Sequence, residues 1–209
     1  IEGTVTRGPM WLPGHSVKMV HEHLYVLVGG NGFETGFSGY TLDQGKTWTQ
    51  SSSAMELRDV EFVDDLNGIA AGYGSILLTN DGGRTYEHTG VHGDFFTDLS
   101  FPTSSIGYAC GFTGTLLKTM DGGQTWDRER NGNAIFQQNL KFNAIDFFNE
   151  TTGVVVGQNG VALLTEDGGR NWKVIENDSD EHFYGVRMMT EQSGIIVGDN
   201  GTILLFTIN

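Results

Sequence analysis

Cysteine is almost missing from this 209-residue chain. Cys110 stands alone, so no internal disulfide framework can form. It lies in the apolar run IGYACG, where a buried, inert thiol is expected. Proline is nearly as scarce, with 3 residues, which excludes collagen-like and proline-rich linker segments. Positive charge is also short. Against 26 acidic residues stand 12 basic ones, a formal −14 that repels phosphate backbones and anionic headgroups. Nucleic acid and direct membrane insertion are therefore not expected as partners. No run approaches the ~18 apolar residues of a spanning helix. The chain opens at Ile1 without a charged-then-apolar leader, and a signal or anchor removed before that point is compatible with the sequence. A place outside the cytoplasm, at a cell surface or on a virion, is the expectation for its location.

What is abundant is glycine, 31 residues, beside 38% hydrophobic content, a composition suited to short strands joined by tight turns around a sizeable core. The strands come in repeats. LLTNDGGRTY, LLKTMDGGQTW and LLTEDGGRNW echo one another, and YTLDQGKTW is a looser version. Upstream of each lies an alternating strand, a turn, and a small-residue strand ending in glycine, as in LRDVEFVDDLNGIAAG; counterparts at HSVKMVHEHLYVLVGG, FTDLSFPTSSIGYACG, FNAIDFFNETTGVVVG and FYGVRMMTEQSGIIVG make five. The apolar anchors Val17, Val60, Leu99, Ile145 and Val186 precede Gly29, Gly72, Gly111, Gly157 and Gly198 by twelve positions each time. Period-two alternation and a repeat of about forty residues describe propeller blades of four antiparallel strands.

The expected fold is an all-β, five-bladed β-propeller occupying 1–209 as a single domain, with blades at about 14–51, 52–90, 91–130, 131–176, and 177–209 plus 1–8. The fifth copy stops after GTILLFTIN, one strand short, and an unpaired edge would open the ring. IEGTVTRG alternates as a strand, so Glu2 to Arg7 is expected to pair as the outer strand of the last blade. A larger, seven-bladed ring of which this is a portion is the structural rival.

The phrase T-x-D-x-G-x-x-W resembles the Asp-box (BNR repeat) of sialidases, sortilin-type receptors, some glucanases and the photosystem II assembly-factor family. With DGG before T-W, and G-x-x-G-x-L-L-x-T preceding it, the repeats are most similar to the assembly-factor family. That resemblance implies a propeller scaffold and a part in assembling or chaperoning a partner protein. The residues themselves say only that Asp43, Asp81, Asp121 and Asp167 act as turn staples, accepting backbone N–H groups while glycines supply positive φ.

Loop lengths point to a working face. The span from Trp48, Tyr86, Trp126 or Trp172 to the next anchor is 12, 13, 19 and 14, and the loop between second and third strands is longest in the first repeat, GGNGFETG. Both insertions, 29–36 and 127–143, should emerge on the face opposite the Asp-boxes, where loops on a rigid scaffold usually bind. Two positions before each anchor stand His15, Arg58, Thr97, Asn143 and Tyr184, a polar ring no core requires. Around it the loops add Phe33, Glu34, Tyr73, Phe112, Arg128, Arg130, Gln158, Asn159, Asp199 and Asn200. Aromatics beside hydrogen-bonding groups suit a protein or carbohydrate ligand held by a monomeric domain or a module of a larger assembly. Cell-surface or host receptor recognition is equally compatible.

The enzymatic alternative rests on Asp59, Glu61, Asp98 and Asp146, inner-strand carboxylates of the kind a glycoside hydrolase or sialidase-like enzyme uses as acid and base. Lys18 and Arg187 in the same column offer charge balance instead, and an early arginine of the FRIP type is missing. No cofactor is expected. Asp178, Asp180 and Glu181 in NDSDEH form a calcium candidate without the glycine and terminal glutamate of an EF-hand loop. The histidines lack zinc spacing.

Overall fold

The computed structural model describes residues 12–130, 132 and 140–208. Alternating apolar residues become antiparallel strands arranged in four hydrogen-bonded sheets. The first runs β1 (Gly14–Met19), β2 (Tyr25–Gly30), β3 (Gly36–Thr41) and β4 (Thr49–Ser53) in sequence order. The second is six-stranded: β5 (Leu57–Phe62), β6 (Gly68–Thr79), β7 (Glu87–Ser100), β8 (Gly107–Gly111), β9 (Leu116–Thr119) and β10 (Asp127–Arg130). β11 (Phe142–Phe147), β12 (Gly153–Gly157), β13 (Ala162–Thr165) and β14 (Lys173–Val174) form the third. The fourth has three strands, β15 (Phe183–Thr190), β16 (Ser193–Gly198) and β17 (Ile203–Thr207).

This is an all-β propeller, but the expected five blades are overturned: four sheets stand where five were expected. The second and third repeats share one sheet because β6 and β7 run through their turns without losing partners. Tyr73 pairs with Phe95 and Ser75 with His92, bridging what the repeat pattern treats as separate units, with register shifts on either side. The sheet bends on itself there, and Ile69, Ala71 and Ile76 of one half pack on Phe96, Leu99, Ala109 and Leu117 of the other. Ring closure by the amino terminus is corrected with it. The segment Glu2 to Arg7 lies outside the described residues, β17 pairs only with β16 among the described strands, and a four-sheet arrangement is at odds with a five-bladed closed ring.

Three further apolar clusters lie between successive sheets. Val26 and Val28 meet Val60 and Ala70, Cys110 and Leu116 meet Ile145 and Val155, and Val154, Val156, Ala162 and Leu164 meet Met188, Ile196 and Phe206. Carboxylates on the inner strands add polar staples between neighbours. Asp59 accepts the Leu99 N–H (3.0 Å), Asp98 accepts that of Ile145 (2.8 Å), and Asp146 accepts that of Met188 (2.7 Å).

The Asp-box turns are built alike. In each, the threonine hydroxyl donates to the aspartate and accepts a glycine N–H two residues beyond it, while the aspartate accepts the N–H of the residue four places on: Thr47, Thr85, Thr125 or Asn171. Gly83, Gly123 and Gly169 hold φ between 81° and 91° to aim that N–H, a region a side chain would strain. The backbone N–H and hydroxyl of Thr47, with Thr41, hold Asp43 down to about pKa 2, and the Asn171 side chain and backbone do the same for Asp167.

Candidate functional site

At the opposite face, one local device recurs in all five repeats. The N–H that follows the second strand donates to a carbonyl at the start of the inner strand: Gly30 to Pro13, Tyr73 to Glu56, Phe112 to Phe95, Gln158 to Lys141 and Asp199 to His182, each 2.8 to 3.0 Å. That bond draws the chains so close that a Cβ on Gly29, Gly72 or Gly157 would collide with the Pro13, Glu56 or Lys141 carbonyl. It also leaves one residue of each inner strand without a partner opposite. Register shifts fall at Gly14/Ser16, Leu57/Asp59, Phe96/Asp98, Phe142/Ala144 and Phe183/Gly185. The skipped residues are His15, Arg58, Thr97, Asn143 and Tyr184. A bulge re-aims its extra side chain, and here it turns the polar ring read from the sequence into the mouth of the channel.

All five line a polar cavity of about 370 Å³ at the top of the channel. Above it opens a larger, mostly apolar cavity of about 870 Å³ bordered by Phe33, Tyr73, Phe95, Phe112, Gln158 and Tyr184. Seven of the ten ligand-binding candidates border this larger cavity: Phe33, Arg58, Tyr73, Phe112, Asn143, Gln158 and Tyr184. His15 lines only the lower cavity, and Glu34 and Arg130 line neither. Arg130 donates to the Gly114 carbonyl, so its guanidinium braces the loop beside the cavity. Burial holds that guanidinium's pKa below its usual range.

Phe33 carries the most informative geometry. Its φ is +71°, a left-handed conformation that a bulky aromatic residue rarely adopts. Glu56 imposes it: the Phe33 N–H donates to Glu56 Oε2 (3.0 Å) and the Glu56 N–H donates to the Phe33 carbonyl (2.8 Å). The other carboxylate oxygen meets Arg58 and His15, both at 3.2 Å. So clamped, the Phe33 ring remains 51% exposed and sits 5.0 Å from Tyr73 and 5.6 Å from Phe95. Arg58 lies over the Phe95 ring and Lys141 over Phe112. On the far wall, Asp94 fixes the loop by accepting the N–H groups of Phe95, Thr113 and Thr115. Beside it the Thr113 hydroxyl is buried with no hydrogen-bond partner among the described residues.

Sequence reasoning missed Glu56, Asp94, Phe95 and Thr113. Phe95 shares a face of β7 with Thr97, two residues on, so period-two alternation alone would have added it.

The four carboxylates of the enzymatic alternative are engaged with neighbouring strands. Besides the staples above, Asp59 accepts the Ser16 hydroxyl (2.7 Å), Asp146 pairs with Arg187 (3.2 Å), and Glu61 pairs with Lys18. Burial raises the pKa of Asp98 well above the ordinary carboxylate range, helped by the charge of Asp59, and burial also raises Glu61 and Asp146. Among the described residues no three His, Cys, Asp or Glu side chains gather as a metal site. In the calcium candidate loop, both Glu181 oxygens accept from the Asn200 amide.

Comparison with known proteins places the scaffold. Residues 91–181 match the family described as photosynthesis system II assembly factor YCF48. That matched stretch is similar to the family's BNR-type repeats, and the chain as a whole is an all-β propeller. A solved structure described as YCF48 bound to D1 peptide is 15% identical, with 98% of this chain and 96% of that one covered and a TM-score of 0.51. The WD40 repeats of RRP9 superpose with a TM-score of 0.78 at 10% identity, covering 97% of this chain and 62% of that one. A GH74 xyloglucanase from Xanthomonas campestris gives 0.65 at 11% identity, over 86% of this chain and 34% of that one. At these identities the likeness is one of fold. No curated protein matches the chain.

Proposed function

We propose that this propeller recognises a segment of a partner protein in the aromatic cavity of its variable face and does not transform it. The observation that carries the reading is Phe33, an exposed ring held by Glu56 in a conformation that costs energy and is useful only if the ring must stand where it does. Around it, Tyr73, Phe95 and Phe112 offer a preformed apolar slot, and Arg58, Asn143 and Gln158 offer polar contacts at its walls. Such a slot suits an apolar side chain of an extended peptide whose main chain reaches the polar groups. Kinship with an assembly factor, and the peptide-bound state of one of its solved relatives, support a protein ligand and a role in assembling or chaperoning it.

A second reading, glycan recognition at a cell surface, draws on the same aromatic and amide groups. Parallel screening of a random peptide library and a glycan array separates the two. Peptide hits enriched in one apolar anchor, lost in Phe33→Ala, support the first; glycan hits alone overturn it.

A further inference from the structure

Asparagine followed by glycine leaves a side-chain amide open to attack by the next backbone nitrogen, because glycine lacks the Cβ that hinders the approach. The chain holds five such pairs, at Asn31, Asn67, Asn131, Asn159 and Asn200. Asn131 lies outside the described residues, and three of the other four pairs are restrained. The Asn67 amide donates to both oxygens of Asp64 (3.1 and 2.8 Å), and Gly68 is buried at the start of β6 opposite Phe62. The Gly160 N–H donates to the Glu181 carbonyl (2.8 Å), which commits the attacking group. The Asn200 amide donates to both carboxylate oxygens of Glu181 (3.0 and 2.9 Å).

Asn31 differs. Among the described residues neither its side chain nor the Gly32 N–H makes a hydrogen bond, both residues are exposed, and a Cβ placed on Gly32 would meet nothing within 4 Å. The pair also opens the loop that presents Phe33. Inside that loop the Asn31 N–H donates to the Thr35 carbonyl (2.8 Å) and the Glu34 N–H to the Gly32 carbonyl (2.9 Å), while the two bonds between Phe33 and Glu56 fasten it to the next repeat.

We propose that Asn31–Gly32 is a self-modification site at which deamidation releases Phe33 from Glu56. The Gly32 nitrogen bonds to Asn31 Cγ and loses its proton as the Cγ–Nδ2 bond breaks and ammonia departs. Water then opens the cyclic imide. Opening at the α-carbonyl of residue 31 leaves isoaspartate, whose main chain runs on through Cβ and Cγ; opening at Cγ leaves aspartate. Nothing is oxidised or reduced. Isoaspartate lengthens the backbone by one carbon between the bonds that close at Asn31 and Gly32, and frees a carboxylate in a loop that already bears Glu34 and is held to Glu56. The Phe33 N–H then loses its place on Glu56 Oε2. The effect on ligand capture rests on the function proposed above, whereas the chemistry does not.

The test ages the full chain in warm, mildly alkaline buffer beside Asn31→Gln, whose longer amide cyclises far more slowly. Peptide mapping by electron-transfer fragmentation should find Asn31 converted at least about tenfold faster than Asn67, Asn159 or Asn200, which must first open locally. Conversion of Asn31 no faster than theirs would overturn the site. Hydrogen exchange reads the clamp without any ligand. The Phe33 and Glu56 amides should lose protection in the chromatographically separated isoaspartate fraction, and keep it in Asn31→Gln and in Asn31→Asp, which adds the charge without the extra carbon. Unchanged protection in the isoaspartate fraction would overturn the release. Peptides selected on fresh protein should bind that fraction at least about tenfold more weakly, as expected when a hot-spot ring is displaced. Fresh protein that captures no peptide, or equal capture by both fractions despite lost protection, would overturn the function assigned to Phe33 and leave the modification site standing.

Discussion

The two faces of this propeller use the same residue types to opposite ends. On the Asp-box face every turn repeats one hydrogen-bond pattern, and the aspartate, threonine and glycine groups satisfy one another within seven residues. At the cavity face the backbone device repeats just as faithfully, but the side chains it projects differ in each repeat: histidine, arginine, threonine, asparagine, tyrosine. Regular backbone with irregular side chains is the arrangement that the proposed recognition surface needs from a scaffold that does not change. Strain is placed accordingly. The positive φ values of the Asp-box turns fall mostly on glycine, where they cost little, whereas at the cavity one falls on phenylalanine.

The largest effect should come from separating binding from folding at Phe33. Phe33→Gly removes the ring and fits the left-handed backbone, so partner affinity should fall by about 2–4 kcal/mol, the range of a hot-spot side chain, measured by calorimetry. The melting temperature should hardly move, because lost ring contacts and relieved strain offset one another. A large drop in melting temperature would mean that Phe33 is structural and that the contrast between the faces is false. The reverse separation belongs to the Asp-box. Thr119→Val leaves the buried Gly123 N–H without its acceptor, and should cost about 1–3 kcal/mol of stability in denaturant unfolding with affinity unchanged.

How much of this was readable beforehand follows from which interactions are local. Twelve-residue spacing from anchor to glycine is a hairpin property, and it led directly to the inner strands and to the ring from His15 to Tyr184. Glu56 was invisible because its importance arises from Phe33, 23 residues earlier, across a gap between sheets that no periodicity reports. The shared six-stranded sheet was hidden for a similar reason. Tyr86 to Leu99 has an ordinary length, and nothing in EHTGVHGD announces that β7 stays paired to β6 until Phe95 hands it to β8. The inner-strand carboxylates were weighed for chemistry or charge balance, and Glu61 does pair with Lys18 and Asp146 with Arg187; what no periodicity reported is that Asp59, Asp98 and Asp146 also accept backbone N–H groups of the adjacent repeat.

Those carboxylates give the smallest and sharpest contrast with the Asp-boxes, because their pKa values move in opposite directions. Asp43 and Asp167 are depressed to about 2, so the stability they contribute is complete above the ordinary carboxylate value near 3.8 and is lost as pH falls from there through about 2. Asp98 is raised by burial and by Asp59, so the folded state holds a proton that the unfolded state has released, and stability is lost as pH rises from 3.8 through the raised folded value. Stability should therefore be greatest at mildly acidic pH and fall on both sides. Asp98→Asn keeps an acceptor for the Ile145 N–H and supplies a permanent donor toward Asp59, so it should flatten the alkaline limb and leave the acid limb intact. Asp98→Ala, which leaves the Ile145 N–H unpaired, should lower stability at every pH instead. Thermal melts of the three proteins across this range would tell them apart, and an unchanged alkaline limb in Asp98→Asn would show that the raised group lies elsewhere in the channel, with Glu61 the next to substitute.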